Sequence, residues 1–199
     1  MSRPMTETSI TASELRDEEL RPEIVSSEVP FRGAVWGVRS DRFRYGDSEI
    51  TRHYVDHPGA VAIVAIDDQD RLLLIQQYRH PIRHRDWELP AGLLDVEGEA
   101  PLLAAQRELA EETDLVAADW QPLLSTFTTP GGSDEIVHFF LATGLSDAPN
   151  AHARVDEEAD IRVEWVPLAD AVTAVLDGRM RNALLVNGVL AATLRRTGD

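Results

Sequence analysis

The sequence predicts an α+β fold arranged as an α/β/α sandwich, because strand patterns are mixed with three helical patterns along 199 residues. Apolar runs at 59–66 and 71–78 predict two strands, and the turn at 67–70 predicts that they pair as an antiparallel hairpin. Further strands are predicted at 122–128, 136–142 and 161–166. Helices are predicted at 101–113, 168–177 and 183–195. A hydrophobic content of 43% is enough for the core of one domain.

The N-terminal part has a different pattern. Residues 1–22 are polar and acidic and predict a mobile tail or a short helical arm. The segments 34–45 and 48–57 are rich in β-branched and aromatic residues, and the Gly46-Asp47 turn between them predicts a hairpin. The predicted division is a tail, a hairpin subdomain and a main domain, at 1–22, 23–58 and 59–199.

Composition excludes several classes of function. A formal charge of −16 argues against nucleic acid or an anionic membrane as a partner, since both select for clustered Lys and Arg. The absence of cysteine excludes disulfides and thiolate metal sites, and the histidines lack the close spacing of a zinc site. No stretch is apolar over the roughly 18 residues that a membrane span requires. We therefore expect a cytoplasmic protein.

An acidic helix face is the strongest chemical feature. Glu108, Glu111 and Glu112 stand at positions i, i+3 and i+4, so their carboxylates share one face of the helix predicted at 101–113. Such a cluster repels itself unless a cation lies nearby, and hard oxygen ligands suit Mg²⁺ or Mn²⁺. The alternative is a solvated helix face in an acidic protein, because glutamate is a good helix former.

The surrounding residues distinguish these readings. The segment 92–115, GLLDVEGEAPLLAAQRELAEETDL, resembles the Nudix box Gx(5)Ex(7)REUxEExGU, in which U is aliphatic. It departs from the box twice, since six residues separate Gly92 from Glu99 and Asp114 replaces the last glycine. That glycine position favours a left-handed backbone, which Asp tolerates better than most residues.

The resemblance implies a Nudix fold with a mixed β-sheet and hydrolysis of a nucleoside diphosphate linked to another group. It implies two or more Mg²⁺ ions, with Mn²⁺ as a possible substitute. Glu108 and Glu112 would be the main metal ligands, with Glu111 and the Ala91 carbonyl as further ones. Arg107 would position a helix glutamate rather than bind substrate. Gly92 and Glu99 would be structural.

Residues outside the box resemble the family members that cleave ADP-ribose. Pro130 lies fifteen positions past Leu115, and the strings QQYRH and WELPAGLLD also match that subgroup. The loop after Pro130 would hold the terminal ribose, through Gly131, Gly132, Ser133 and Glu135. Arg79 would contact the pyrophosphate or ribose, and its alternative is a surface ion pair. Glu88 would recognise the adenine side, and its alternative is a strand-end glutamate facing water.

The general base is expected on a later acidic loop, ARVDEEADI, because metal would occupy the helix glutamates. Glu157 or Glu158 would take the proton from the attacking water. The resemblance of EEAD slightly favours Glu158, and the alternative is a solvated acidic loop.

The sequence therefore predicts an Mg²⁺-dependent enzyme that converts ADP-ribose to AMP and ribose 5-phosphate. By resemblance it would be a homodimer in which the N-terminal hairpin packs on the partner. One alternative is a Nudix hydrolase for another nucleoside diphosphate sugar or a dinucleotide. The other is a sensor that binds ADP-ribose without cleaving it, against which the complete glutamate set argues.

Overall fold

The computed structural model describes residues 11–149 and 161–197. The strands are β1 (Ile24–Arg32), β2 (Gly37–Tyr45), β3 (Ser48–Asp56), β4 (Ala60–Ala65), β5 (Arg71–Arg79), β6 (His84–Glu88), β7 (Ala91–Leu93), β8 (Leu115–Phe127), β9 (Ile136–Asp147) and β10 (Arg162–Pro167). The helices are α1 (Pro101–Thr113), α2 (Leu168–Leu176) and α3 (Ala183–Thr197). In the described ranges no helix is both long and apolar enough to cross a bilayer.

The core is built around β4, whose six residues are all buried. It pairs in parallel with β9 and antiparallel with β7, in a mixed sheet of order β7-β4-β9-β8. Alternate side chains of β4 point to opposite layers. Val61 and Ile63 pack towards Leu109 of α1, and Val64 packs towards Val189 of α3. The predicted α/β/α sandwich is confirmed.

The predicted hairpin between the strands at 59–66 and 71–78 is wrong. Both strands exist, but β4 and β5 belong to different sheets, and β5 lies in a second sheet of order β10-β5-β6. An isolated antiparallel bridge joins Ile66, the residue after β4, to Leu72 of β5. Asp67 turns the chain from one sheet to the other, because its Oδ1 accepts hydrogen bonds from the backbone N–H groups of Gln69 and Arg71.

The N-terminal extension has three strands rather than a two-stranded hairpin. The predicted hairpin corresponds to β2 and β3, and β1 adds a third antiparallel strand beside β2. The sequence IVSSEVPFR of β1 hides this strand, because it holds polar residues and a proline that edge strands tolerate. In residues 11–22 the chain forms a turn at 12–14 and no helix.

Helix α1 has the predicted bounds. Pro101 occupies its first turn, where the missing N–H costs no helical hydrogen bond. Asp114 ends the helix in the left-handed conformation, with φ 57° and ψ 29°, and its N–H donates to the Ala110 carbonyl at 3.0 Å. The expectation that Asp114 tolerates the left-handed backbone of the family's glycine position is confirmed.

One strand boundary changes and two short strands are added elsewhere. Strand β8 begins at Leu115 rather than at 122, and the short strands β6 and β7 were not predicted. The missed strands matter for the site, since β7 carries Ala91 and Gly92 beside α1. Five or fewer residues give no usable alternation, so the sequence alone does not reveal them.

Candidate active site

The acidic face of α1 lines a cleft of about 830 Å³ beside the edge strand β7. The N-terminal segment reaches the same cleft through Val35, Trp36 and His57. The cleft brings together many of the residues predicted from the sequence, which are Arg79, Ala91, Gly92, Arg107, Glu108, Glu111, Glu112 and Glu135.

Arg107 connects three carboxylates at one end of the cleft. Its Nε and Nη2 donate to Glu99 at 3.2 and 3.0 Å. Its Nη1 donates to Glu108 at 2.6 Å and to Glu111 at 3.0 Å. The hydrogen bonds to Glu99, the charge of Glu108 and the hydrogen bonds to Glu108 and Glu111 raise the pKa of Arg107 despite partial burial. This is the geometry expected of a residue that positions glutamates, as the resemblance implies.

Gly92 makes room for Glu108. A Cβ atom on Gly92 would lie 1.9 Å from the Glu108 carboxyl carbon, so the two groups would occupy the same space. The glycine therefore lets the Glu108 carboxylate lie directly against β7. The position of the Glu108 carboxylate therefore depends on the absence of a side chain at Gly92.

Glu112 lies in a different environment from its neighbours on the helix. It is 7% exposed, and its Oε2 accepts a hydrogen bond from the Ala91 N–H at 2.9 Å. Burial raises the pKa of Glu112 to about 8; the bond from Ala91 opposes this rise, and the charges of Glu108 and Glu88 add to it. A buried carboxylate among like charges is costly, and a cation beside it would stabilise its charged form.

The donor set fits a divalent cation by its chemistry. Within the described ranges, no three Asp, Glu or His side chains already form a group that could hold a metal ion. One reason is that Arg107 takes oxygens of both Glu108 and Glu111. The oxygens on this face are nevertheless the hard ligands that Mg²⁺ and Mn²⁺ prefer, and such an ion would stabilise the ionised form of Glu112.

Arg79 at the end of β5 and Glu88 at the end of β6 form an ion pair. Arg79 donates from Nε and Nη2 to the two oxygens of Glu88, both at 2.7 Å. Gln77 also donates to Glu88 at 3.1 Å. Glu88 is 4% exposed, so the alternative of a glutamate facing water is wrong. The ion-pair alternative for Arg79 does hold, but its partner is a buried carboxylate rather than a surface one.

Two residues in this region were missed from the sequence. Gln77 lies two positions before Arg79 on β5, and the period of two along a strand could have placed both on one face. His57 lines the cleft at the junction of β3 and β4. No local pattern distinguishes His57 from the other histidines, because its neighbours come from a distant loop.

The structure divides the predicted ribose loop between two cavities. Glu135 lines the cleft, whereas Pro130, Gly131 and Ser133 line a neighbouring cavity of about 470 Å³ with β3. The loop is tied to β3 by two backbone hydrogen bonds, from Val55 N–H to the Gly132 carbonyl and from Asp134 N–H to the Val55 carbonyl. A Cβ on Gly131 or Gly132 would meet nothing within 4 Å, so protein packing does not require these glycines. The predicted bases, Glu157 and Glu158, lie outside the described residues.

Comparison with known proteins identifies the family. A family model described as NUDIX domain matches residues 56–186. The chain belongs to the Nudix family. This Nudix chain is 48% identical over 179 residues to the ADP-ribose pyrophosphatase of Mycobacterium tuberculosis, covering 88% of this chain and 85% of that protein. It is 34% identical over 166 residues to the methanol dehydrogenase activator of Bacillus methanolicus, covering 83% and 89%.

A solved structure shows the same Nudix fold. The crystal structure of an ADP compounds hydrolase superposes with a TM-score of 0.74 at 24% identity. The match covers 92% of this chain and 98% of that chain. The N-terminal sheet and the main domain are therefore both within the range of a known Nudix architecture.

Proposed function

We propose that this Nudix protein hydrolyses the pyrophosphate of ADP-ribose, with Mg²⁺, to AMP and ribose 5-phosphate. The observation that carries the reaction type is the gathering of Glu108, Glu111 and Glu112 in one cleft, with Glu112 buried. The substrate rests on the relative of 48% identity that is named ADP-ribose pyrophosphatase, and on the Pro130 resemblance.

The helix glutamates and the Ala91 carbonyl are the groups that would hold the metal ions, two or more of Mg²⁺ or Mn²⁺. When bound, divalent cations neutralise phosphate charge and lower the pKa of bound water. The protein's own contribution is the placement of its oxygens. Arg107 holds Glu108 and Glu111 from one side, and the Ala91 N–H holds Glu112 from β7.

Arg79 is the proposed contact for the pyrophosphate or the terminal ribose. Its guanidinium lines the cleft, and the bidentate pairing with Glu88 fixes the plane of the donor fork. The proposed adenine contact of Glu88 stays a prediction, since its present partners are Arg79 and Gln77. A base on the acidic loop, Glu158 or Glu157, would accept the proton of the attacking water.

A homodimer formed through the N-terminal sheet is also proposed. The sheet and its β1–β2 loop present exposed apolar side chains that a second copy would cover, with exposed fractions of 51% at Ile24, 52% at Phe31 and 43% at Trp36. Light scattering of the wild type and of a chain beginning after β3 would test this assembly.

The reaction is tested by measuring AMP release from ADP-ribose with Mg²⁺, alongside ADP-glucose, GDP-mannose, NADH and diadenosine polyphosphates. We expect ADP-ribose to be cleaved fastest and Glu112→Gln to be nearly inactive. Glu97→Gln is the matched control, since it makes the same change at an exposed site before the helix. A faster rate with another substrate would overturn the specificity, and tight ADP-ribose binding without turnover would indicate a sensor.

A further inference from the structure

His57 occupies the junction between the N-terminal sheet and the main domain. It follows β3 directly and lies three residues before β4. Its side chain is 12% exposed and lines both the cleft and an adjoining cavity of about 370 Å³ beside Trp36. A polar ring held at the boundary of the active-site cleft is available to a ligand.

The hydrogen bonds of the ring determine which nitrogen carries the proton. The Gly59 N–H donates to Nδ1 of His57 at 3.1 Å. Only an unprotonated ring nitrogen accepts a hydrogen bond, so the neutral ring carries its proton on Nε2. Glu135 Oε1 lies 3.6 Å from Nδ1, which is too long for a hydrogen bond and faces a nitrogen without a proton.

The Nε2–H group is a donor without a protein acceptor in the described part of the chain, where the contacts of His57 involve its backbone N–H and Nδ1. In the described residues, the buried side-chain polar atoms without a hydrogen-bond partner are Asp41 Oδ1 and Thr126 Oγ1. The His57 Nε2 atom has no protein partner and is not one of them, so it is accessible to solvent. The space that the ring lines is the cleft and the adjoining cavity. A molecule bound there would meet the Nε2–H donor of His57.

The loop at 128–135 holds this donor in place. The His57 backbone N–H donates to Asp134 Oδ1 at 2.9 Å. The neighbouring Glu135 carboxylate is itself fixed by Thr128, whose hydroxyl donates at 2.5 Å. The Ser133 hydroxyl donates to the Val55 carbonyl at 3.3 Å and accepts from the Glu135 N–H at 3.1 Å. The ring is thus positioned by the same loop that is proposed to hold the terminal ribose.

We infer that His57 contacts the substrate, donating a hydrogen bond from Nε2 to an oxygen of the ribose 5-phosphate half of ADP-ribose. The inference deepens the proposed function and rests on it. A hydrogen-bond donor suits this place, because the substrate supplies acceptor oxygens. The half of the substrate follows from Glu135, a proposed ribose contact that lines the same cleft as His57 and lies 3.6 Å from its ring.

Two amide substitutions separate a ligand contact from a purely structural role. In His57→Asn the side-chain oxygen lies near the position of Nδ1, so it retains the acceptor for the Gly59 N–H and removes the distal donor. In His57→Gln the amide nitrogen lies near the position of Nε2, so it retains the donor and loses the short-range acceptor. We expect His57→Asn to raise KM for ADP-ribose about tenfold with an unchanged melting temperature.

We expect His57→Gln to keep KM within about threefold while its melting temperature falls, because the Gly59 N–H loses its acceptor. The inference would be overturned if His57→Gln, the variant with the lower melting temperature, raised KM more than His57→Asn. Competition by the products tests the half that is contacted. Ribose 5-phosphate should inhibit His57→Asn more weakly than the wild type, and AMP should inhibit both equally; a selective loss of AMP inhibition would overturn the placement.

Failure of the proposed function is detected separately. If the wild type does not cleave ADP-ribose, calorimetric titration of the wild type and both variants with ADP-ribose still measures the contact. Weaker binding to His57→Asn alone supports the inference without turnover. Equal binding to all three proteins overturns it, whatever the rate of hydrolysis.

Discussion

Helix α1 carries two kinds of carboxylate on one face. Glu108 and Glu111 are bound by Arg107, so one guanidinium, which also binds Glu99, compensates part of their charge. Glu112 is buried, its hydrogen bond comes from the neutral Ala91 N–H, and its pKa is raised to about 8. Glutamates that are four or fewer positions apart therefore differ in burial and in hydrogen-bond partners, because different neighbours surround them. The arginine-bound part, Glu108 and Glu111, is held in position by Arg107. The buried part, Glu112, depends most on a cation to stabilise its charged form.

The largest expected effect contrasts the two parts directly. Glu112→Gln should lower kcat by about 1,000-fold, because it removes the charge that the neighbouring groups leave uncompensated. Glu111→Gln should lower kcat by about tenfold, since its side chain is 39% exposed and one of several ligands. Steady-state rates of AMP release at saturating Mg²⁺ measure both, and equal losses would remove the distinction between the two parts.

Removal of the arginine should make the two parts alike. Arg107→Leu leaves three carboxylates facing one another, and we expect a loss of about 2 kcal/mol in the free energy of unfolding. We expect kcat to fall about 100-fold as well, since the helix glutamates lose their positions. Denaturant titration and rate measurements check these values.

Arg107→Lys is the control for charge alone. A point charge cannot bridge Glu99, Glu108 and Glu111 as the planar fork does, so activity should recover only in part. Full recovery by lysine would show that geometry is unimportant at this position.

Displacement of one arginine-bound carboxylate should affect rate more than stability. Gly92→Ala places a Cβ where the Glu108 carboxyl lies, and that flexible side chain can move away. We expect kcat to fall about tenfold while the free energy of unfolding changes by less than about 1 kcal/mol. Gly98→Ala is unsuitable as a control because its φ is +79°, so Gly131→Ala, at an open site, serves for stability only.

The smallest effect concerns pH and the buried part alone. The folded pKa of Glu112, about 8, is above its ordinary value of 4.5, so the folded state keeps a proton that the unfolded chain has lost between these values. The free energy of unfolding therefore falls as pH rises through this window. In chelator, the wild type should lose several degrees of melting temperature relative to Glu112→Gln between pH 5 and pH 8. Parallel curves for the two proteins would contradict the raised pKa.

The sequence predicted the acidic helix well because its determinants are local. Pro101 and Asp114 mark the ends of α1, and a period of 3.6 residues places the glutamates on one face. These features depend on neighbours a few positions away, and the structure reproduces them with the predicted bounds. The family resemblance rests on the same local segment.

The pairing of strands could not be predicted in the same way. The apolar runs of β4 and β5 are compatible with any buried partner, and one true partner of each, β9 for β4 and β10 for β5, lies about 70 or more positions further along the chain. The polar composition of β1 concealed a strand that is stabilised by pairing with β2. A local pattern identifies a strand but does not select its neighbour.

The sequence alone therefore determined the acidic helix and the layered fold, because these follow from periodicity and from the order of the strand and helix patterns. The reaction class followed from the resemblance of that helix and its flanking residues to the Nudix box. Only the tertiary structure showed that Arg107 binds three glutamates, that Glu112 is buried and that His57 points a donor outward. These properties arise from contacts between segments distant in sequence, and the burial that shifts a pKa or orients a ring exists only once those segments meet.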